Sequence, residues 1–323
     1  PEDSAEPEVS GGYIWKVDRA DPDAGTFSAG GNGSMNWVYP KSPNSRTARD
    51  DQKATPEQLQ WVQDYFGEMN DAVRNTDIYD PEGYIKYLDP DSWIDNHIVN
   101  TLALNVDAFR LSAYLFKDRD GRVEMGPLWD CDRCMESRDD RDNVADTWGG
   151  SGASFFNFPW WTSLFRDPGF WQRYVDRWSS LREYGGLLSN EGIDSIIDQQ
   201  ADLVREASER NFAKWRAVRP RTSSAFNSGH LDGTWEGEVD HMRAYLHARA
   251  RFFDDMFVQP ATVWVGNQLV GADPGAIVSP GTQVRVGGPL IDFNIDTELI
   301  SGETGAETAS YFVPPDDSLG DSW

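Results

Sequence analysis

Residues 91–132 read DSWIDNHIVNTLALNVDAFRLSAYLFKDRDGRVEMGPLWDCD, and a change of period within them decides the fold. Pro90 opens a helix that carries Trp93, Ile94, Ile98, Thr101 and Leu102 and runs out near Asn105. From Phe109 to Lys117 the pattern alternates as in a strand; Asp118-Arg119-Asp120-Gly121 is turn chemistry, and Arg122 to Trp129 reads as a return strand. With Lys117 facing Arg122, Asp107 falls opposite Asp132, and a two-residue slip sets it opposite Asp130. Either register gathers three carboxylates at one end of the hairpin. Such carboxylates repel one another, so a cation or a raised pKa is expected there. Hard oxygen donors suit Mg²⁺ or Ca²⁺. The spacing also fits phosphoryl transfer, in which one Asp handles the acceptor hydroxyl and another holds the metal on the nucleotide phosphates. The plainer reading is that Asp at the end of a helix or strand is turn chemistry alone.

Working outward, Thr55-Pro56-Glu57-Gln58 is a helix start with a capping box, followed by Leu59, Val62, Phe66, Met69 and Val73 on one face. Residues 12–50 are rich in Gly, Ser, Asn and Asp and read as one strand at Tyr13-Ile14-Trp15 followed by long loops. Residues 136–152 read as an acidic, Gly-rich loop. The aromatic run Phe155 to Trp161 reads first as core, with a carbohydrate platform at Trp160 and Trp161 as the alternative. Helices are expected near 168–184, 190–216 and 235–257. From Gln259 onward Val and Leu are scattered among Gly and Pro without a helical period, which reads as a small β-rich module over 259–323. The fold class is therefore α+β, with a first domain over 1–258.

The chain has 323 residues, 39% hydrophobic, enough to build a sizeable core. No apolar run reaches the ~18 residues of a membrane helix. A net charge of −25 argues against nucleic acid and anionic lipid as partners. Basic residues are mostly Arg, with lysine only at positions 16, 41, 53, 86, 117 and 214, which fits a saline outside setting or a GC-rich composition bias equally. Cys131 and Cys134 alone make no disulfide framework, and they read as small semi-buried side chains or one local disulfide. The chain starts at Pro1 and stops at Trp323 in polar sequence, so both ends read as cuts within a longer polypeptide. Asn32-Gly33-Ser34 is a glycosylation tripeptide of a kind common by chance.

Three stretches resemble the spore-coat-protein-H (CotH) kinase family, in particular its large secreted multidomain members. They are Gly12 to Arg19; Trp93 to His97 leading to Asn105 through Ser112; and Lys117 to Gly121 leading to Gly126 through Arg133. The resemblance covers roughly 12–258. It implies a mainly helical kinase-like C-lobe, with only the end of the N-lobe in residues 1–50, and it places the nucleotide-covering lobe elsewhere in the parent polypeptide. It implies ATP as phosphate donor, Mg (Ca as the alternative) as metal, and serines of an extracellular protein as acceptor. By resemblance Asp107 is the catalytic Asp, Asn105 orients it, Asp130 binds the metal and Asp132 completes the acidic motif. Arg110 and Arg133 neutralise phosphate or pair with these acids, and Lys16 is the one lysine within a matching motif. An N-lobe segment is then an expected partner beside the protein substrate, and this chain alone is either active or an inactive part. The rival reading is a non-catalytic extracellular module whose carboxylates hold a structural Ca²⁺.

Other candidates are weaker. His97 reads as a packed or capping histidine. His241 and His247 lie on different faces of one helix, and His230 sits in a Ser/Gly loop.

Overall fold

Five antiparallel strands form one sheet in the order β2-β3-β1-β4-β5, from β1 (Tyr13–Val17), β2 (Thr26–Ser28), β3 (Ser34–Tyr39), β4 (Ala113–Lys117) and β5 (Glu124–Met125). The computed structural model describes residues 5–19, 25–29, 34–136, 141–149, 155–216, 218–226 and 228–257, and the backbone of four further strands. The 12–50 segment thus holds three strands where the sequence shows one. β2 has only three residues, and β3 carries a buried Asn36 on the pairing edge, so neither stands out from its polar surroundings. Alternation gives the sheet two faces. Tyr13, Trp15, Trp37 and Leu115 point into the core, and Lys16 and Tyr114, paired across β1 and β4, share the other face.

Helices cover the core face. Helix α1 (Pro56–Asn75) starts where the capping box predicts: Gln58 N donates to Thr55 Oγ1 at 3.2 Å, and Thr55 N donates to Gln58 Oε1 at 2.8 Å. Its Val62, Phe66, Met69 and Val73 are buried, with Phe66 edge-on to Trp15 at 5.0 Å. Helix α2 (Pro90–Leu102) is held to the hairpin by Trp93 Nε1, which donates to Val123 O at 3.0 Å.

After the one-turn α3 (Trp161–Leu164) come α4 (Pro168–Arg182), α5 (Asn190–Lys214) and α6 (Trp235–Phe257), each within two residues of its expected end. Asp167 caps α4 through Gly169 N and also accepts from Ile78 N and the Tyr84 hydroxyl, so one buried carboxylate joins α4 to the segment after α1. Phe155, Phe156 and Trp161 are buried, and Trp160 stacks on Phe66 and meets Trp93 edge-on, so the aromatic run is core and not a platform. Strands β6 (Thr262–Val265), β7 (Gln268–Gly271), β8 (Val284–Gly288) and β9 (Ile291–Ile295) form a second antiparallel sheet, in the order β7-β6-β8-β9. Segregated helices and antiparallel sheets make the fold α+β. Among the described residues, no helix is long and apolar enough to cross a membrane.

Candidate active site

The hairpin is shorter than its sequence pattern and one residue out of the expected register. Leu115 pairs with Met125 and Phe116 with Glu124. The ladder closes at Gly126, whose N–H donates to Tyr114 O at 2.9 Å, because Pro127 has no N–H to continue it. On the other strand, residues 107–112 turn back on themselves: Leu111 N donates to Asp107 O, and Phe109 and Ser112 take positive φ of 68° and 54°. Continued past its end, the observed register would set Asp107 beside Arg133 rather than Asp132.

Two backbone hydrogen bonds nevertheless join the loops that flank the hairpin. Val106 N donates to Arg133 O at 3.4 Å, and Met135 N donates to Ala103 O at 3.0 Å. Asn105-Val106-Asp107 therefore runs alongside the segment that follows Trp129-Asp130-Cys131-Asp132. Ser112 Oγ donates to Asp130 Oδ2 at 3.5 Å, a third and weaker link. Cys131 and Cys134 form a disulfide that closes a short ring around Asp132 and Arg133.

Asn105 is buried and hydrogen-bonded at both ends of its amide. Its Oδ1 accepts from Asp107 N at 3.4 Å, its Nδ2 donates to Asn100 Oδ1 at 3.1 Å, and Asn100 Nδ2 donates to Asn96 O and Oδ1 at 3.0 Å. This amide relay along α2 fixes the backbone that presents Asp107. The Asp107 carboxylate is about a quarter exposed; Oδ1 accepts from Arg110 Nη2 and lies 3.7 Å from Arg141 Nη1. Oδ2 takes no hydrogen bond among the described residues. Of the two roles open to Arg110, pairing with an acid is the one observed.

Asp130 (φ 62°) and Asp132 are exposed, and Asp132 has no hydrogen bond or ion pair among the described residues. Trp129 is 57% exposed, unusual for its type, and lies edge-on to Tyr114 at 6.0 Å. Tyr114 pairs with Lys16 across β1 and β4, so Lys16 and Trp129-Asp130 share one face of the sheet. Lys16 sits in the central strand, with its Nζ 3.5 Å from Asp18 Oδ2. Among the described residues, no three His, Cys, Asp or Glu side chains group closely enough to hold a metal ion. The donor chemistry still fits a hard cation: two neighbouring, exposed carboxylates separated by one residue.

Three further residues support the site, and the first two were not legible in the sequence. Arg249 of α6 is fully buried and donates to the carbonyls of Thr101, Leu102, Ala145 and Thr147, which caps the C-terminus of α2 two turns of chain before Asp107. Burial pushes its guanidinium down to about 10. Glu136, two residues past Cys134, accepts from His241 Nε2 at 2.7 Å and from Ala225 N at 2.7 Å, while its carbonyl accepts from Arg221 at 2.7 Å. That buried hub anchors the far end of the acidic loop to α6 and to the 221–226 segment.

The third support is His97. It packs as expected, with Phe109 stacked on its ring at 4.9 Å. Phe155 O can only accept, so Nε2 carries the proton and donates to it at 3.1 Å; Nδ1 then accepts from the Tyr174 hydroxyl at 3.0 Å. Burial, only partly offset by the bond to Phe155 O, pushes the ring from 6.5 down to about 3. The unfolded chain therefore binds a proton that the folded one refuses between about pH 6.5 and 3. This site's contribution is complete above 6.5 and is lost as pH falls through that window, at about 1.4 kcal/mol per pH unit. Urea unfolding of His97→Gln is expected to show a shallower acid slope than the native chain by about that amount. Equal slopes would mean that His97 is not buried in neutral form.

The fold and site define a mixed α+β protein with a paired-loop acidic site. The family model described as CotH kinase protein matches residues 6–253, and the chain belongs to the CotH kinase family. Membership gives it a kinase-like function and implies the use of ATP with a divalent metal. No curated protein matches the chain significantly.

Proposed function

We propose that the chain is the core of an extracellular protein kinase that moves the ATP γ-phosphate to a Ser or Thr hydroxyl. The observation that carries this reading is the stitching of the Asn105-Asp107 loop to the Asp130–Arg133 loop by Val106 N–Arg133 O and Met135 N–Ala103 O. It leaves an acceptor-side carboxylate and two metal-side carboxylates on adjoining loops. In this reading Asp107 takes the acceptor proton at Oδ2, the oxygen that Arg110 leaves open. Asp130 and Asp132 hold Mg²⁺, which often takes only one or two carboxylates with the remaining positions filled by phosphate and water; Ca²⁺ wants six to eight oxygens. When bound, the metal neutralises charge on the phosphates. Lys16 supplies positive charge on the sheet face that Trp129 shares, Arg133 adds charge within the acidic loop, and Trp129 offers a flat face beside Asp130.

The Cys131–Cys134 disulfide supports a secreted or surface-exposed location, since such bonds persist in oxidising compartments. The partners this reading requires are a protein acceptor and a segment that covers the nucleotide.

Calorimetry tests the metal site. ATP with Mg²⁺ is expected to bind the native chain, ATP alone much more weakly, and Asp130→Asn to lose the metal-dependent part. ATP binding that is indifferent to both Mg²⁺ and Asp130→Asn would refute the assignment.

A further inference from the structure

The chain carries 54 acidic and 29 basic residues, yet from Arg210 to Leu231 it has no Asp or Glu and five Lys or Arg. Part of that charge is neutralised: Arg210 pairs with Glu206, and Arg221 with Glu238. Lys214, Arg216 and Arg219 differ. All three are exposed, and no acidic side chain pairs with any of them among the described residues. Arg219 Nε bonds only the carbonyl of Arg216, at 3.1 Å, and Lys214 Nζ lies over the ring of Trp215 at 4.9 Å. Elsewhere the described arginines commonly meet a carboxylate, as Arg173 does at Asp91, Arg177 at Asp95, Arg182 at Asp254 and Arg243 at Asp194.

The same stretch exposes apolar surface. The buried residues of α5 are Ile193, Ile197 and Ala201, so its second half leaves the core. Just past its end Trp215 is 56% exposed and Val218 57%. A large aromatic and an aliphatic side chain beside unpaired cations are the ingredients of a peptide-docking surface, where the apolar groups add affinity and the charges select the partner.

We infer that the Lys214–Arg219 surface docks an acidic polypeptide segment that also carries apolar side chains. Charge complementarity argues for that occupant. Its carboxylates meet three cations that no acid among the described residues pairs. The rest of this acidic molecule contributes little repulsion at physiological salt, where the Debye length is about 8 Å. Nucleic acid would offer charge but no aliphatic side chain for Val218. The inference stands independently of the kinase reading, because binding here needs neither Asp107 nor Asp130. Its position is suggestive all the same: Arg221 and Ala225, just beyond the patch, grip Glu136 at the end of the acidic loop.

Fluorescence anisotropy with the full chain tests it, using a labelled peptide of Glu-Asp-Leu-Glu repeats and a neutral Gln-Asn-Leu-Gln counterpart. The acidic peptide is expected to bind and the neutral one not. Combining Lys214→Glu, Arg216→Glu and Arg219→Glu is expected to weaken binding about tenfold or more, since each exposed pair contributes modestly. Trp215→Ala is expected to weaken it several-fold, with a weaker salt dependence than the charge reversals. All four side chains are exposed, so thermal melts should match the native chain; the corresponding Gln variants give a second, gentler series. Equal binding of the two peptides, or affinity unchanged in the reversed variant, would overturn the proposal. Equally tight, patch-dependent binding of single-stranded DNA would overturn the choice of a polypeptide.

Discussion

Asp107→Asn is expected to lower phosphate transfer by about 10²- to 10⁴-fold, the usual contribution of a positioned acid–base group, with little change in Mg-ATP binding. Asn is nearly the same size and keeps an oxygen for Arg110, so the loop should hold its shape. What it lacks is a carboxylate Oδ2 able to take a proton from an acceptor hydroxyl. The amide relay through Asn105, Asn100 and Asn96 bonds the Asp107 backbone and is untouched by the change. Arg110 is substantially exposed, so weakening its partner costs little stability. Transfer to a protein acceptor, measured alongside calorimetry of the variant, separates the two acidic loops: Asp107→Asn should bind Mg-ATP without turnover, and Asp130→Asn should fail to bind it. Unchanged transfer in Asp107→Asn would remove Asp107 from the chemistry.

Arg249→Met is expected to cost about 3–5 kcal/mol of unfolding free energy, the largest stability effect foreseen for a single substitution here. Met fills much of the volume but brings no donors. It leaves the carbonyls of Thr101, Leu102, Ala145 and Thr147 without the group that gathers them in a buried site. The positive charge at the C-terminal end of α2 is lost as well, and with it a favourable interaction with the helix dipole. Since α2 leads directly into Asn105 and Asp107, the same change should loosen the Asp107 loop. Arg249→Lys keeps the charge but cannot span four carbonyls, and is expected to fall between Met and the native chain. The urea midpoint is the measurement; a midpoint for Arg249→Met equal to the native value would show that the four carbonyls find other partners.

Local signals carried far in this protein. Thr55-Pro56-Glu57-Gln58, Pro90 and Pro168 mark helix starts because capping and proline geometry are decided by near neighbours. The Asp118–Gly121 turn and the flanking alternation located the hairpin for the same reason. The resemblance to the CotH family was legible because its residues cluster in short motifs, and the family match over 6–253 agrees with it.

Where signals were weak or distant, sequence fell short. The exact hairpin register depends on where Gly126 and Ser112 end the ladder, and a shift of one residue exchanges the neighbours of Asp107. Strand β2 exists because β3 and the core receive it, not because three polar-flanked residues prefer to be extended. The capping of α2 by Arg249 joins residues some 147 apart, and the Glu136–His241 bond residues 105 apart. No pattern within either segment announces such a partner. Sequence by itself determined the helices, the hairpin, the acidic motifs and their family. Only the tertiary structure decided which loops lie side by side and which buried charges hold them there, because those contacts form between chain segments that local preferences cannot connect.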